Sequence, residues 1–164
     1  MKRVEFVPLV LTDVSDVFTI RIEGEKDTEF KKFFILFKDS ADPYLKEDFD
    51  RILIAIEKIS QSGALESYFR LEGKMNDRVC AIPLLIRPRN YSLHGTLRLY
   101  CIRVSNDLLI IGGGGLKRTS AYEEDGYLLK NVELLRDIDT ALAGLEDGGI
   151  VLKDDLNNII IEIE

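Results

Sequence analysis

Two apolar runs joined by a short polar turn constrain the fold of this chain most strongly. Residues 96–104 and 108–111 are rich in leucine, isoleucine and valine, and Ser105-Asn106-Asp107 between them has the composition of a tight turn. A third apolar run, residues 78–86, precedes them. Consecutive strands joined in this way form a meander and pair antiparallel. The sequence therefore predicts an antiparallel sheet in the middle of the chain.

Two long helical segments flank this sheet. Asp42 and Pro43 are typical of a helix start and Gly63 of a helix end, and apolar residues recur between them every three or four positions. The same spacing runs from about residue 127 to 145, where Gly148-Gly149 follows. Helices on an antiparallel sheet define an α+β fold, with one long helix before the sheet and one after it.

Further strands are predicted towards both ends of the chain. Residues 4–11, 17–22 and 30–37 have the composition of strands, with Pro8 typical of an edge strand, and the Ile/Glu alternation at 158–164 predicts a terminal strand. A length of 164 residues suits a single domain that spans the whole chain. No apolar run approaches the roughly 18 residues that cross a bilayer, so we expect a cytoplasmic protein without membrane contact.

The two cysteines are predicted to be buried, free thiols. Cys80 and Cys101 each lie within an apolar run. Two cysteines and a single histidine cannot supply a zinc site of the usual kind. We therefore expect no metal, and no other cofactor is indicated.

The charge of the chain is distributed unevenly. The whole protein carries −7, but residues 70–118 contain nine basic and three acidic residues. A local patch influences the choice of partner more than distant charge does, because salt screens charges beyond roughly 8 Å. The basic segment favours a nucleic-acid partner. The alternative is that acidic residues from the flanking segments fold over it and neutralise it.

Basic residues and a tyrosine fall together on the predicted sheet. Side chains alternate along a strand, so Arg98 and Tyr100 share one face and Arg103 points to the other. The next strand leads to Lys117 and Arg118. Cations beside a phenol can hold a phosphodiester and stabilise the charge that develops on it, and a tyrosine can stack on a base. Arg87 and Arg89 could grip the nucleic-acid backbone from a loop. The alternative is a structural role for the arginine and the tyrosine.

The glycine run Gly112–Gly115 does not form a phosphate-binding loop. A P-loop needs lysine directly after a glycine and then serine or threonine, whereas Leu116 separates Gly115 from Lys117 here. Four glycines at the end of a strand are more typical of a β-bulge.

These residues resemble the RelE/ParE superfamily of bacterial toxins, in particular its HigB-like branch. Residues 33–37 resemble the opening strand of that family, 44–62 its helix, and Leu97-Arg98-Leu99-Tyr100 its central strand. The apolar strand 108–112 followed by Lys117 and Arg118 is similar to a family strand that ends in a basic pair. The resemblance covers about residues 30–146, with strands 1–29 and 158–164 as additions.

The resemblance implies a metal-independent endoribonuclease that cuts mRNA on the ribosome and is neutralised by an antitoxin protein. Arg98 and Lys117 would stabilise the phosphate, Tyr100 or Arg118 would assist proton transfer, and Arg70 and Arg103 would join Arg87 and Arg89 in binding RNA. The alternative is a catalytically inactive, RelE-like protein-binding module. The chain is longer and more acidic than the compact toxins, and its basic pair comes later. The oligomeric state is not predicted.

Overall fold

A computed structural model describes residues 1–65, 70–71, 78–82, 96–117 and 126–164. The strands are β1 (Lys2–Leu11), β2 (Asp16–Ile22), β3 (Arg70–Leu71), β4 (Val79–Ile82), β5 (Thr96–Ser105), β6 (Leu108–Lys117) and β7 (Ile160–Ile163). The helices are α1 (Glu29–Phe37), α2 (Pro43–Ser62), α3 (Gly126–Asp147) and α4 (Leu152–Asp155), and α4 continues into a 3₁₀ turn at Leu156–Asn158. None of the helices in these ranges is long and apolar enough to cross a membrane.

The described strands form one seven-stranded sheet in the order β3-β4-β5-β6-β2-β1-β7. The predicted α+β class is confirmed, but the sheet is mixed rather than wholly antiparallel. β2 pairs with β6 in parallel, from Asp16 opposite Leu108 to Thr19 opposite Ile111, whereas the other neighbours are antiparallel. The parallel pair arises because the N-terminal hairpin β1–β2 joins the free edge of the meander's last strand.

Both long helices lie where their spacing predicts them. The Asp42 carboxylate accepts a hydrogen bond from the Tyr44 N–H at 2.8 Å and so caps α2. Gly63 ends the helix with a φ of 100°, a backbone conformation that glycine adopts without steric cost. α3 extends the predicted segment by one residue at its start and two at its end.

The predicted strand at residues 30–37 is wrong, because this segment forms helix α1. The Thr28 hydroxyl accepts a hydrogen bond from the Lys31 N–H at 3.1 Å, which supplies the N-cap. Phenylalanines at three- and four-residue spacing then pack on one side, with ring centroids of Phe33 and Phe37 5.2 Å apart. The segment that resembles the opening strand of the RelE-like toxins is therefore helical.

The sheet separates two apolar cores. On one side α3, α4 and the 3₁₀ turn cover alternate residues of the sheet, and on the other side α1 and α2 cover the rest. We call these the α3 side and the α1–α2 side. Phe18, Tyr100 and Ile110 belong to the first core, whereas Val17, Cys101 and Leu109 belong to the second.

The glycine run lies inside β6 and includes the predicted bulge. The register between β5 and β6 shifts between Leu99, opposite Gly114, and Cys101, opposite Ile111. A Cβ at Gly112 would lie 2.8 Å from a Leu135 methyl group of α3. The glycines therefore allow both the extra residue in the strand and the close approach of α3.

Pro8 does not mark an edge strand, since β1 lies between β2 and β7. β7 pairs with β1 only from Lys2 to Glu5, however, so Pro8 has no β7 residue opposite it. The pairing of β1 with β2 is irregular between Pro8 and Val10. This irregularity accommodates the residue that lacks an N–H.

Candidate functional site

The sheet brings three of the predicted site residues to the same side. Lys117 lies opposite Thr96 and Gly115 lies opposite Arg98, so Lys117 faces the same side as Arg98 and Tyr100. Tyr100 belongs to the core beneath α3, which places all three side chains on the α3 side. The alternation in the sequence therefore predicts correctly that Arg98 and Tyr100 share a face, and the register of β5 with β6 adds Lys117 to it.

That shared face is buried rather than open to solvent. Arg98 is 3% exposed, Lys117 is 2% exposed and Tyr100 is fully buried. A phosphodiester of an RNA strand would need direct access to the guanidinium, ammonium and phenol groups to be held or cleaved. In this structure the three side chains form part of the protein interior.

Of the remaining predicted RNA-binding residues, Arg103 is the one whose side chain the structure describes, and it does not extend the site. Arg103 lies on the α1–α2 side, where its Nε donates to the Ala64 carbonyl oxygen at 2.6 Å and its terminal nitrogen donates to the Asn106 side chain. It thereby holds the end of β5 to the segment after α2. Arg87, Arg89 and Arg118 lie outside the described residues, as does the side chain of Arg70.

One further cluster, in which ion pairs join β4 to α3, is not predicted from the sequence. Asp139, which is 5% exposed, accepts hydrogen bonds from the Arg78 N–H at 3.0 Å and from its Nε at 2.8 Å. A guanidinium nitrogen of Arg78 also lies 2.8 Å from Glu146. Burial opposes the charge on Arg78, but the hydrogen bonds and charges of Glu146 and Asp139 outweigh it and raise the pKa of Arg78. The sequence does carry one indication of this cluster, because Asp139 is an acidic residue within the apolar stripe of α3, four residues after Leu135.

A groove of 490 Å³ opens where β2 and β6 diverge. The parallel pairing of β2 with β6 ends at Thr19 and Ile111. At this end the Thr19 hydroxyl donates a hydrogen bond to the Ile111 carbonyl oxygen at 2.7 Å. Clefts beyond the carboxyl ends of parallel strands are common ligand sites. The groove's polar groups are therefore candidate ligand contacts.

Three of these polar groups, Glu25, Glu29 and Lys32, are bound to one another. Glu29 is 7% exposed and forms an ion pair with Lys32 at 2.6 Å, and Lys32 also binds Glu25 at 2.7 Å. Burial opposes the charge on Lys32, but its hydrogen bonds and the charges of both glutamates prevail and raise the pKa of Lys32. Asn131 donates to the Tyr127 carbonyl oxygen at 3.0 Å. Within the described ranges, no group of three His, Cys, Asp or Glu side chains is arranged to hold a metal ion.

An accessible apolar surface lies on the α1–α2 side of β1 and β7. α1 packs on β6 and β2, so the same side of β1 and β7 is left half covered. Val7, Leu9 and Val10 are half-buried there, and Ile160 is 62% exposed. We call this surface, formed by Val7, Leu9, Val10 and Ile160, the open face.

Helix α1 adds to this apolar surface. Phe34 contacts the Phe49 ring of α2 at 5.4 Å between centroids, whereas Leu36 lies nearly opposite to Phe34 on the helix and is 63% exposed. Leu36 therefore projects on the side of α1 away from α2, where the open face begins. The α1–α2 side of this end of the molecule presents apolar groups from both a helix and a sheet.

Two pairs of charged residues border the open face near Ile160. Arg21 binds Glu5, and Arg3 lies 3.7 Å from Glu162. Arg3, Glu5 and Arg21 border a shallow groove of 230 Å³ that also includes Ile160. An apolar centre with a charged border is the usual composition of a protein–protein contact surface.

Comparison of the chain with protein-family models, with curated proteins and with solved structures finds no match.

Proposed function

We propose that this protein is a non-catalytic binding module and that it binds a different protein, of net positive charge, through the open face and Leu36. The observation that carries the proposal is the combination of a buried basic cluster and an accessible apolar surface. Arg98, Tyr100 and Lys117 are inside the molecule, whereas exposed apolar groups lie elsewhere.

The burial of Arg98, Tyr100 and Lys117 favours binding over catalysis. Nuclease chemistry requires contact between these groups and the scissile phosphate, and each of them is at most 3% exposed. The net charge of −7 adds long-range repulsion against RNA, which is itself densely negative.

The open face supports a protein partner. Ile160 and Leu36 are both more than 60% exposed, although burying a side chain of this kind is worth about 1.5–3 kcal/mol. Contiguous exposed apolar groups with a charged border mark interaction surfaces on soluble proteins. The half-covered side of β1 and β7 supplies such a surface on a rigid sheet.

The charge of the chain indicates which partner fits. The edge strand β7 directs Glu162 to solvent, and Glu164 follows it. A second copy docked edge to edge would bring these carboxylates together, and both copies would carry −7. A different protein with basic residues would instead be attracted. The resemblance to RelE-like toxins implies an antitoxin-like protein as that partner.

A two-hybrid screen of a genomic library from the source organism tests this proposal. Each interaction would be measured again with Leu36→Glu and with Ile160→Glu, and with Val151→Glu as the control. Val151 is 57% exposed and precedes α4, which packs on the α3 side, so the control adds the same charge at a similarly exposed site. We expect at least one partner whose affinity falls about ten-fold or more in the first two variants, because a charge replaces an apolar contact.

The proposal fails if no partner is found, or if partners respond to Val151→Glu rather than to the other two substitutions. Purified variants with the wild-type melting temperature would show that a lost interaction does not come from unfolding. The endoribonuclease hypothesis stays a prediction, which the growth experiment in the Discussion tests separately.

A further inference from the structure

The two cysteines face each other across neighbouring strands. Cys80 of β4 lies directly opposite Cys101 of β5, and their sulfur atoms are 3.5 Å apart. Each sulfur also lies near the carbonyl oxygen of the other cysteine, at 3.8 and 3.6 Å. Both thiols are free and at most 1% exposed, as the sequence predicts.

This arrangement is close to that of a disulfide. Residues opposite each other on antiparallel strands have Cα atoms about 4.5–5.5 Å apart, which lies within the range that a disulfide spans. An S–S bond is about 2.05 Å long, so the sulfurs of Cys80 and Cys101 need to approach by roughly 1.5 Å. Rotation of the two side chains together with a backbone adjustment would supply this approach.

We propose that Cys80 and Cys101 are an oxidisable pair whose disulfide locks β4 to β5. In the reaction, both S–H bonds break, one S–S bond forms, and two electrons and two protons pass to an oxidant of the disulfide or azo class. With diamide, the azo group accepts both and becomes a hydrazine. With glutathione disulfide, two glutathione thiols are released. This inference does not depend on the proposed function.

The folded protein controls access to the pair. Burial raises the pKa of the Cys101 thiol, and the hydrogen bond and charge of Cys80 raise it further, so the reactive thiolate is scarce in the closed state. An oxidant therefore reaches the two sulfur atoms only when this part of the sheet opens locally. Within the described residues, β4 has four residues and its outer neighbour β3 has two, so β4 is paired at only two positions on its outer side there.

The bond would stabilise the fold because it restricts the unfolded chain. Cys80 and Cys101 are 21 positions apart, and a disulfide between them closes the intervening loop in the unfolded state. The bond also joins the outer strand β4 to β5, the third strand of the sheet. Oxidation would thus add a covalent link to the four-residue pairing of β4 with β5.

Diamide treatment of the purified, reduced full-length protein tests the proposal. Peptide mapping after alkylation should show an intramolecular Cys80–Cys101 disulfide, and the melting temperature should rise by about 5–10 °C and return on reduction with dithiothreitol. Oxidation should be faster in a urea concentration below the unfolding transition, because opening of β4 is needed.

Cys80→Ala and Cys101→Ala are the matched controls. Each variant is compared with and without diamide, so that the effect of the substitution itself on stability cancels. Neither variant should gain melting temperature after treatment. Thiols that remain reduced in the wild type, linkage between chains instead of within one, or a disulfide that lowers the melting temperature would each overturn the proposal.

Discussion

Replacing Gly114 with alanine is expected to lower the free energy of unfolding by about 3 kcal/mol, the upper end of the usual cost of overpacking. A Cβ at this position would lie 2.0 Å from the Arg98 carbonyl oxygen and 2.9 Å from the Leu99 Cα. Both neighbours are backbone atoms of β5, so no side-chain rotation can relieve the clash. The pairing of β5 with β6 has to open instead. Urea-induced unfolding measures the loss.

Gly144→Ala is the matched control. Gly144 lies in α3, where an added Cβ would have no atom within 4 Å, and alanine is favoured over glycine in a helix by about 1 kcal/mol. We expect this variant to be more stable than the wild type. A Gly114→Ala protein with wild-type stability would contradict the strand register at the bulge.

Removing the Asp139 carboxylate is expected to cost about 3 kcal/mol, because breaking a buried ion pair leaves its partner poorly compensated. Asp139→Ala removes the acceptor of both the Arg78 N–H and its guanidinium and leaves Arg78 with Glu146. The contact joins β4 to α3, so its loss weakens the attachment of the outer strands. The effect would be measured by urea-induced unfolding at neutral pH.

Asp137→Ala in the same helix controls for helix propensity and net charge. Asp137 is exposed, and changes at such positions usually alter stability by no more than about 0.5 kcal/mol. Equal stability of the Asp137 and Asp139 variants would show that the Arg78–Asp139 contact does not support the fold.

Local signals in the sequence predicted much of the fold. Asp42 and Gly63 define the ends of α2 through capping and backbone conformation, which depend on neighbouring residues alone. The polar turn at residues 105–107 likewise identified the β5–β6 hairpin. α1 was mistaken for a strand because residues 33–37 are apolar throughout, and a run without polar residues shows neither a helical nor a strand period.

The parallel pairing of β2 with β6 could not be predicted in the same way. It joins residues about 90 positions apart, such as Thr19 and Ile111, and no turn between them specifies the contact. Once the parallel pair exists, the strands diverge beyond it and create the groove near Glu29. The shape of that region depends on topology rather than on any local motif.

The sequence predicts only part of the candidate site, again because local spacing does not specify how distant elements pack. The two-residue period of a strand specifies that Arg98 and Tyr100 share a face, but it does not specify whether that face meets solvent or a helix. The packing of α3 decides this point, and it buries both residues. Conversely, Leu36 and Ile160 are exposed because helices cover β1 and β7 only in part. The spacing of residues along the chain does not reveal this incomplete cover.

Expression in a bacterial host without any partner gene is the most direct test of the central claim that the basic residues of the sheet are structural. Growth would be followed for the wild type and for Tyr100→Phe, a substitution that removes the phenol hydroxyl and little else. Arg98→Ala/Lys117→Ala is less informative, because both side chains are buried and their loss can unfold the protein. We predict normal growth and intact mRNA for both proteins. Growth arrest with mRNA cleavage by the wild type, abolished in a Tyr100→Phe protein of unchanged melting temperature, would contradict the account and establish a ribonuclease.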